Sequence, residues 1–102
     1  MTKISRLQLN DAELQSLHHE FWQALAALRT VKDVEALLAG FLTHTEIKMF
    51  AKRLAAAKML LRDASYAEIR QTLKLTDTPI ARINNLLNEN KRFKALVAKS
   101  IL

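Results

Sequence analysis

Apolar residues recur at intervals of three and four along most of this chain, which is the spacing of amphipathic helices. The first such stretch starts at Asn10 or Asp11, because Asn10 and Glu13 have the spacing of a capping box. It carries an apolar seam made of Leu14, Leu17, Phe21, Leu25 and Leu28. A seam of this kind packs on another helix. The pattern therefore predicts a first helix that needs a partner.

Two more helix starts follow. Thr30 and Asp33 begin a second helix, and Gly40, the only glycine, is predicted to end it as a left-handed C-cap residue. We assign residues 10–40 as two dimerisation helices. Thr43 and Glu46 form another capping box before a helix that is apolar nearly all round, over residues 43–62. Such a helix is normally central to a fold.

Residues 65–89 contain two helices separated by the break "KLTDTP". Ser65 and Glu68 cap the first of them. Either Thr76 or Thr78 caps the second, and Pro79 fits its first turn, at the first helical position if Thr78 is the cap. A last helix spans 91–101. The whole chain, 1–102, is predicted to be one all-α domain of about six helices.

The spacing of apolar residues after Tyr66 is that of a helix-turn-helix, whose second helix lies in the major groove of DNA. Counted from Tyr66, they occupy the fourth, eighth, tenth, fifteenth and eighteenth places: Ile69, Leu73, Leu75, Ile80 and Ile83. Thr78, Ala81, Arg82 and Asn85 fall on the opposite face. Arg70 stands where a small residue is common, and Lys74 stands where the turn commonly has glycine.

The charge is distributed unevenly. The net charge is +6 with a pI near 10.0, but residues 1–46 carry four bases and six acids, whereas residues 47–102 carry twelve bases and four acids. Such asymmetry indicates a polyanionic partner for the C-terminal part, or else a solvated basic surface that keeps the protein soluble.

The sequence lacks the residues that several classes of protein require for their function. There is no cysteine, no glycine-rich phosphate loop and no paired acid–base motif, so we do not expect an enzyme. His18, His19 and Glu20 are adjacent on one helix and diverge by about 100°, so they cannot converge on a metal ion. No run approaches the roughly 18 apolar residues of a membrane span, and no export signal is evident. A cytoplasmic protein is predicted.

The stretch from Phe41 to Leu87 resembles the Trp repressor family, and most closely its YerC-like bacterial branch. The shared motifs are L-T-x-x-E, A-x-R-L, L-L-R, S-Y-x-E-I and I-x-R-[IV]-N. The resemblance covers about residues 37–87. It implies an intertwined homodimer that binds double-stranded DNA, each subunit reading half of an operator. We therefore expect a transcription regulator, and specifically a repressor.

The resemblance also implies which side chains contact DNA. Tyr66, Ala67 and Arg70 match positions of the first helix that face DNA, and Arg70 is the best candidate because a guanidinium fits phosphate and guanine alike. Thr78, Pro79 and Ala81 match the start of the recognition helix. Arg82 and Asn85, which the helical spacing puts on the outer face of the same helix, complete the expected DNA-binding set.

In the tryptophan-responsive repressor, L-tryptophan lies between two arginines. Arg53 and Arg82 match them, and Leu42 and Thr43 match further pocket positions. The residue after the second arginine is glycine there but Ile83 here, whose four additional carbons favour filling the indole space. We therefore predict that DNA binding needs neither L-tryptophan nor another cofactor. The alternative is a helical interaction module whose basic face binds an acidic protein or RNA.

Overall fold

The computed structural model describes residues 8–101, and this part of the chain contains six α-helices and no strand. They are α1 (Asp11–Ala26), α2 (Val31–Phe41), α3 (His44–Leu61), α4 (Tyr66–Leu73), α5 (Asp77–Glu89) and α6 (Lys91–Lys99). The prediction of an all-α fold with six helices is confirmed. Residues 1–7 and 102, which the single-domain prediction also covers, lie outside the described part. Between Gln8 and Ile101, no helix combines the length and apolar character needed to cross a membrane.

Three of the helix starts have the hydrogen bonds expected of a capping box. The pairs are Asn10 with Glu13, Thr43 with Glu46, and Ser65 with Glu68. In each pair the N-cap side chain accepts from the backbone N–H three residues later, and that residue's carboxylate accepts from the N-cap backbone. These contacts satisfy N–H groups that the helix itself cannot pair. The three starts predicted from sequence are thereby confirmed.

The prediction that Gly40 ends α2 as a left-handed residue is wrong. Helix α2 continues through Gly40 to Phe41, and the described part of the chain contains no glycine with a positive φ. The helix ends because Thr43 adopts an extended conformation, with φ −71° and ψ 161°, as the N-cap of α3. The start of the next helix, and not the glycine, sets this boundary.

At the start of α5 one of the two predicted caps is found, and at the end of α6 the predicted boundary is wrong. Thr76, and not Thr78, is the N-cap of α5, so Pro79 is the third helical residue. Its missing N–H still falls within the first turn, where no intrahelical partner exists. Helix α6 ends at Lys99, since Ser100 is its C-cap, and does not extend to residue 101.

The chain forms two compact units, of which the first ends at Phe41. Helices α1 and α2 contain no buried residue. Within this unit the rings of Phe21 and Phe41 meet edge to face, with centroids 6.4 Å apart. The seam on α1 is open in the single chain: Leu14, Leu17 and Phe21 are 43%, 48% and 36% exposed. Residues 8–41 therefore contain no buried core.

The second unit begins at Leu42 and contains the core. Helix α3 packs against α4, α5 and α6, as expected of a central helix. The buried side chains come from all four helices: Ala56, Ala57, Ile69, Ile80, Ile83, Leu87 and Val97. Another face of α3 stays exposed in the single chain, with Phe50 and Leu54 about half accessible. That both units form one domain stays a prediction.

Candidate nucleic-acid interface

A left-handed residue makes the turn between α4 and α5. Lys74 has φ 56° and ψ 47°, and its backbone N–H donates to the carbonyl oxygen of Arg70 at 2.9 Å. Most L-residues avoid this conformation because Cβ approaches the following carbonyl oxygen. The turn therefore falls where the sequence pattern expects a glycine, and it ends α4 three residues before α5 begins.

The inner face of α5 is fixed by the core. Ile80 is fully buried, and Ile83 and Leu87 are 8% and 5% exposed. Ile69 of α4 is fully buried in the same cluster. Burying each of these side chains contributes about 1.5–3 kcal/mol, so the helix has a well-defined orientation. The three inward positions predicted on α5 are confirmed.

The opposite face of α5 lines a shallow groove. The lining includes all four residues that the pattern puts there, followed by two from the end of the helix: Thr78, Ala81, Arg82, Asn85, Leu86 and Glu89. Thr78, Arg82 and Asn85 are exposed, whereas Ala81 is half-buried. Hydroxyl, guanidinium and amide groups on one helical face can donate to phosphates and to base edges. Glu89 was missed by the sequence reasoning.

The candidate DNA-contacting residues next to the turn differ in their exposure to solvent. Ala67 and Arg70 are exposed. Tyr66 is half-buried and packs on the edge of the core. Pro79, from the first turn of α5, is half-buried as well. Ala67 and Arg70 are therefore the more accessible of these four candidates.

Arg70 forms a salt bridge across the turn. Its Nη1 atom lies 2.5 Å from Oδ1 of Asp77, the first residue of α5. The two side chains are 44% and 62% exposed, and theirs is the only salt bridge found within residues 8–101. Sequence reasoning did not include Asp77. In the sequence, Asp77 is recognisable only as an acid at the start of the recognition helix. Its pairing with Arg70 could not be predicted, because the two residues are seven positions apart and belong to different helices.

A cavity of about 580 Å³ lies between α3, α5 and α6. Two of its lining residues are basic, and the others are apolar or neutral: Arg53, Leu54, Ala57, Thr78, Pro79, Arg82, Ile83, Leu86, Phe93 and Val97. It therefore brings together three of the predicted pocket residues, Arg53, Arg82 and Ile83. Leu42 and Thr43 are not part of its lining. Ile83 is buried as expected, but it does not close the cavity.

Arg82 belongs to two surfaces at once, since it lines both this cavity and the outer groove of α5. A smaller cavity of about 300 Å³ brings Lys48, Lys52 and Arg53 of α3 close to Leu75 and Pro79 at the turn. Basic side chains of α3 therefore lie near the helix-turn-helix, in addition to Arg82 of α5. This distribution of charge suits an anionic partner.

A family model described as Trp repressor protein matches residues 15–100 of the chain. The match includes α2 to α6 entirely and most of α1. Searches of curated proteins and of solved structures found no match.

Proposed function

This chain belongs to the Trp repressor protein family of helix-turn-helix DNA-binding regulators, and we propose that it is a sequence-specific transcriptional repressor. It binds double-stranded DNA as a homodimer, with α5 in the major groove. The observation that carries this proposal is the two-sided character of α5. Its inner face is buried in the core, and its outer face exposes Thr78, Arg82 and Asn85 beside Ala81.

The exposed residues have distinct roles in this proposal. Arg70 contacts a guanine edge or a phosphate, because its planar guanidinium fits both. Thr78 and Asn85 donate to phosphates or base edges, and Ala81 allows close approach of the helix backbone. Arg82 contacts a phosphate. Tyr66, Ala67 and Pro79 complete the surface next to the turn.

The homodimer accounts for the exposed seam of α1. Leu14, Leu17 and Phe21 would leave a continuous apolar strip in water if the chain were alone, and a large exposed apolar patch usually marks an interface. A dimeric helix-turn-helix protein binds two half-sites about 34 Å apart, so its operator has matching two-fold symmetry. We expect the same of this protein.

Tryptophan independence is part of the proposal and follows the YerC-like branch of the family. Ile83 is buried where the tryptophan-responsive repressor has glycine, so the inner face of α5 is held by packing with Ile80 and Leu87. A recognition helix that is already fixed does not require a corepressor to order it. Arg53 and Arg82 are then available for DNA phosphates.

Selection of binding sites from a random duplex library tests this function. We expect a two-fold symmetric site and a steep decrease in affinity with salt. Arg70→Ala should weaken binding to that site by about 1–3 kcal/mol if Arg70 reads a base, and should relax preference at one base pair. If Arg70 contacts phosphate instead, the loss is uniform across sequences and the salt slope is shallower.

The matched control is Arg29→Ala, which removes an exposed arginine outside the helix-turn-helix. It lowers the net charge equally, so it reports the loss of long-range attraction alone. Absence of a symmetric site in the selection, together with a weak salt dependence, would favour the interaction module instead.

A further inference from the structure

The salt bridge between Arg70 and Asp77 connects the two helices of the helix-turn-helix at its exposed end. Arg70 comes from the last turn of α4, and Asp77 is the first residue of α5. Both are expected at the DNA surface if the proposed function holds. An acid at this position is unfavourable for general DNA affinity, because it repels the phosphate backbone.

Stability alone does not account for this pair. An exposed salt bridge adds between nothing and about 1 kcal/mol to the free energy of unfolding. Asp77 also interacts favourably with the positive end of the α5 dipole, but that interaction does not require Arg70. A geometric role in recognition explains why the acid and the arginine are together.

The contact uses only part of each side chain's hydrogen-bonding capacity. Asp77 engages one terminal nitrogen of Arg70, and a guanidinium has five N–H donors in a fixed plane. The remaining donors can bind O6 and N7 of guanine. The second carboxylate oxygen of Asp77 can accept from N4 of the cytosine in the same base pair.

We propose that Asp77 is a specificity-determining residue that acts with Arg70 to read one G·C base pair in each half-site. Asp77 fixes the plane of the guanidinium in front of guanine. It also opposes contact with phosphate, since a phosphate-bound Arg70 would leave Asp77 unpaired beside the DNA backbone. This inference rests on the proposed function, and it predicts opposite effects of Asp77 on specific and on random DNA.

The test uses the full chain, its selected operator, the same duplex with the preferred G·C pair changed to A·T, and a random duplex. Asp77→Asn should lower the preference for G·C over A·T by about fivefold or more. It should also raise affinity for the random duplex about two- to fivefold, because one repulsive charge is lost. Asp77→Glu keeps the charge and should restore part of the preference.

The control is Asp63→Asn, which removes an exposed acid outside the helix-turn-helix and keeps a residue that tolerates its positive φ of 63°. It reproduces the change in net charge without changing base preference. A double-mutant cycle with Arg70→Ala should show that Asp77→Asn has a smaller effect on base preference once Arg70 is absent, because only the direct contact of Asp77 with cytosine then remains.

The outcomes separate the two proposals. If the wild-type protein selects a symmetric site but Asp77→Asn leaves every base preference unchanged, the inference is overturned and the proposed function stands. If Asp77→Asn shifts only the unfolding midpoint, the pair is a stabilising contact and the inference is likewise overturned. If the wild-type protein selects no site, the proposed function fails and the inference fails with it.

Discussion

Arg53 of α3 and Arg82 of α5 line the same cavity from two different helices. No acid among residues 8–101 lines the cavity with them, and the guanidinium of Arg53 lies 6.0 Å from the ring centroid of Phe50. Two unopposed cations facing one space repel each other, and an anion between them relieves that repulsion. A small carboxylate bound there would indicate corepressor-dependent DNA binding, whereas a DNA phosphate would indicate corepressor-independent binding.

The first prediction is that L-tryptophan has no effect on this protein. Ile83 lines the cavity with Arg53 and Arg82, and although it does not close the cavity, it adds bulk at the position that the resemblance matches to glycine in the tryptophan-responsive repressor. Calorimetry should therefore detect no heat of binding, and operator affinity should be equal with and without L-tryptophan. Micromolar affinity for the amino acid, or clear enhancement of DNA binding by it, would contradict this prediction.

The second prediction concerns association through α1. The unfolding midpoint should rise with protein concentration, because folding and dimerisation are linked. Leu25→Asp should destabilise the dimer by about 3–5 kcal/mol, since it puts an uncompensated charge into an apolar contact. Sedimentation and thermal unfolding measure both effects.

A matched control for the dimer prediction is Gln23→Asp. It introduces the same acid on the same helix, about 160° around the helix from the seam, at an exposed position. It should leave association nearly unchanged. A stable monomer at micromolar concentration in the wild-type protein would show that the seam does not mediate dimerisation.

The third prediction concerns the turn. Lys74 adopts a left-handed conformation, with φ 56°, which glycine adopts without steric cost. Lys74→Gly should therefore raise the free energy of unfolding by about 1 kcal/mol at a fixed protein concentration. Urea denaturation measures this change. Lys74→Ala removes the same charge without relieving the conformation, and a similar gain from alanine would assign the effect to charge.

The fourth prediction concerns pH and the start of α3. The Thr43 backbone N–H donates to the Glu46 carboxylate at 2.8 Å, and this contact, with a side-chain hydrogen bond from Thr43, holds the pKa of Glu46 below its usual 4.5. A depressed pKa means that the folded state favours the ionised form. Its contribution to stability is present above pH 4.5 and is lost as the pH falls through the lower, folded-state pKa.

Carboxyl-carbon NMR titration of Glu46 measures that pKa directly. Glu46→Gln keeps the hydrogen-bond acceptor but removes the titration, so this part of the acid sensitivity should disappear. A Glu46 pKa at or above 4.5 in the folded protein would contradict the assignment.

Local chemistry explains which parts of the fold could be predicted from the sequence. Each capping box lies within four residues, so the starts of α1, α3 and α4 are determined by neighbouring side chains. The buried positions Ile69, Ile80 and Ile83 follow from helical spacing in the same way. The prediction that Gly40 ends α2 failed because glycine can remain inside a helix, and the N-cap of the next helix sets where the chain turns.

The periodicity of apolar residues could not predict which side chains of different helices contact each other. The pairing of Arg70 with Asp77 depends on the angle between α4 and α5, which the left-handed Lys74 sets. Likewise, the spacing of apolar residues on α3 indicates a helix that is apolar all round. It does not show that Ala56 and Ala57 are buried while Phe50 and Leu54 are exposed in the single chain.

Helix α5 differs from α1, α3 and α4 in how it begins, because Thr76 makes no side-chain capping hydrogen bond. Its first N–H groups therefore have no side-chain cap to protect them from water. In amide hydrogen exchange, the first turn of α5 should exchange faster than the equivalent turns of α3 and α4, while its buried middle around Ile80 and Ile83 exchanges slowly. The end of the helix that begins the proposed DNA-binding surface is thus the end that frays first.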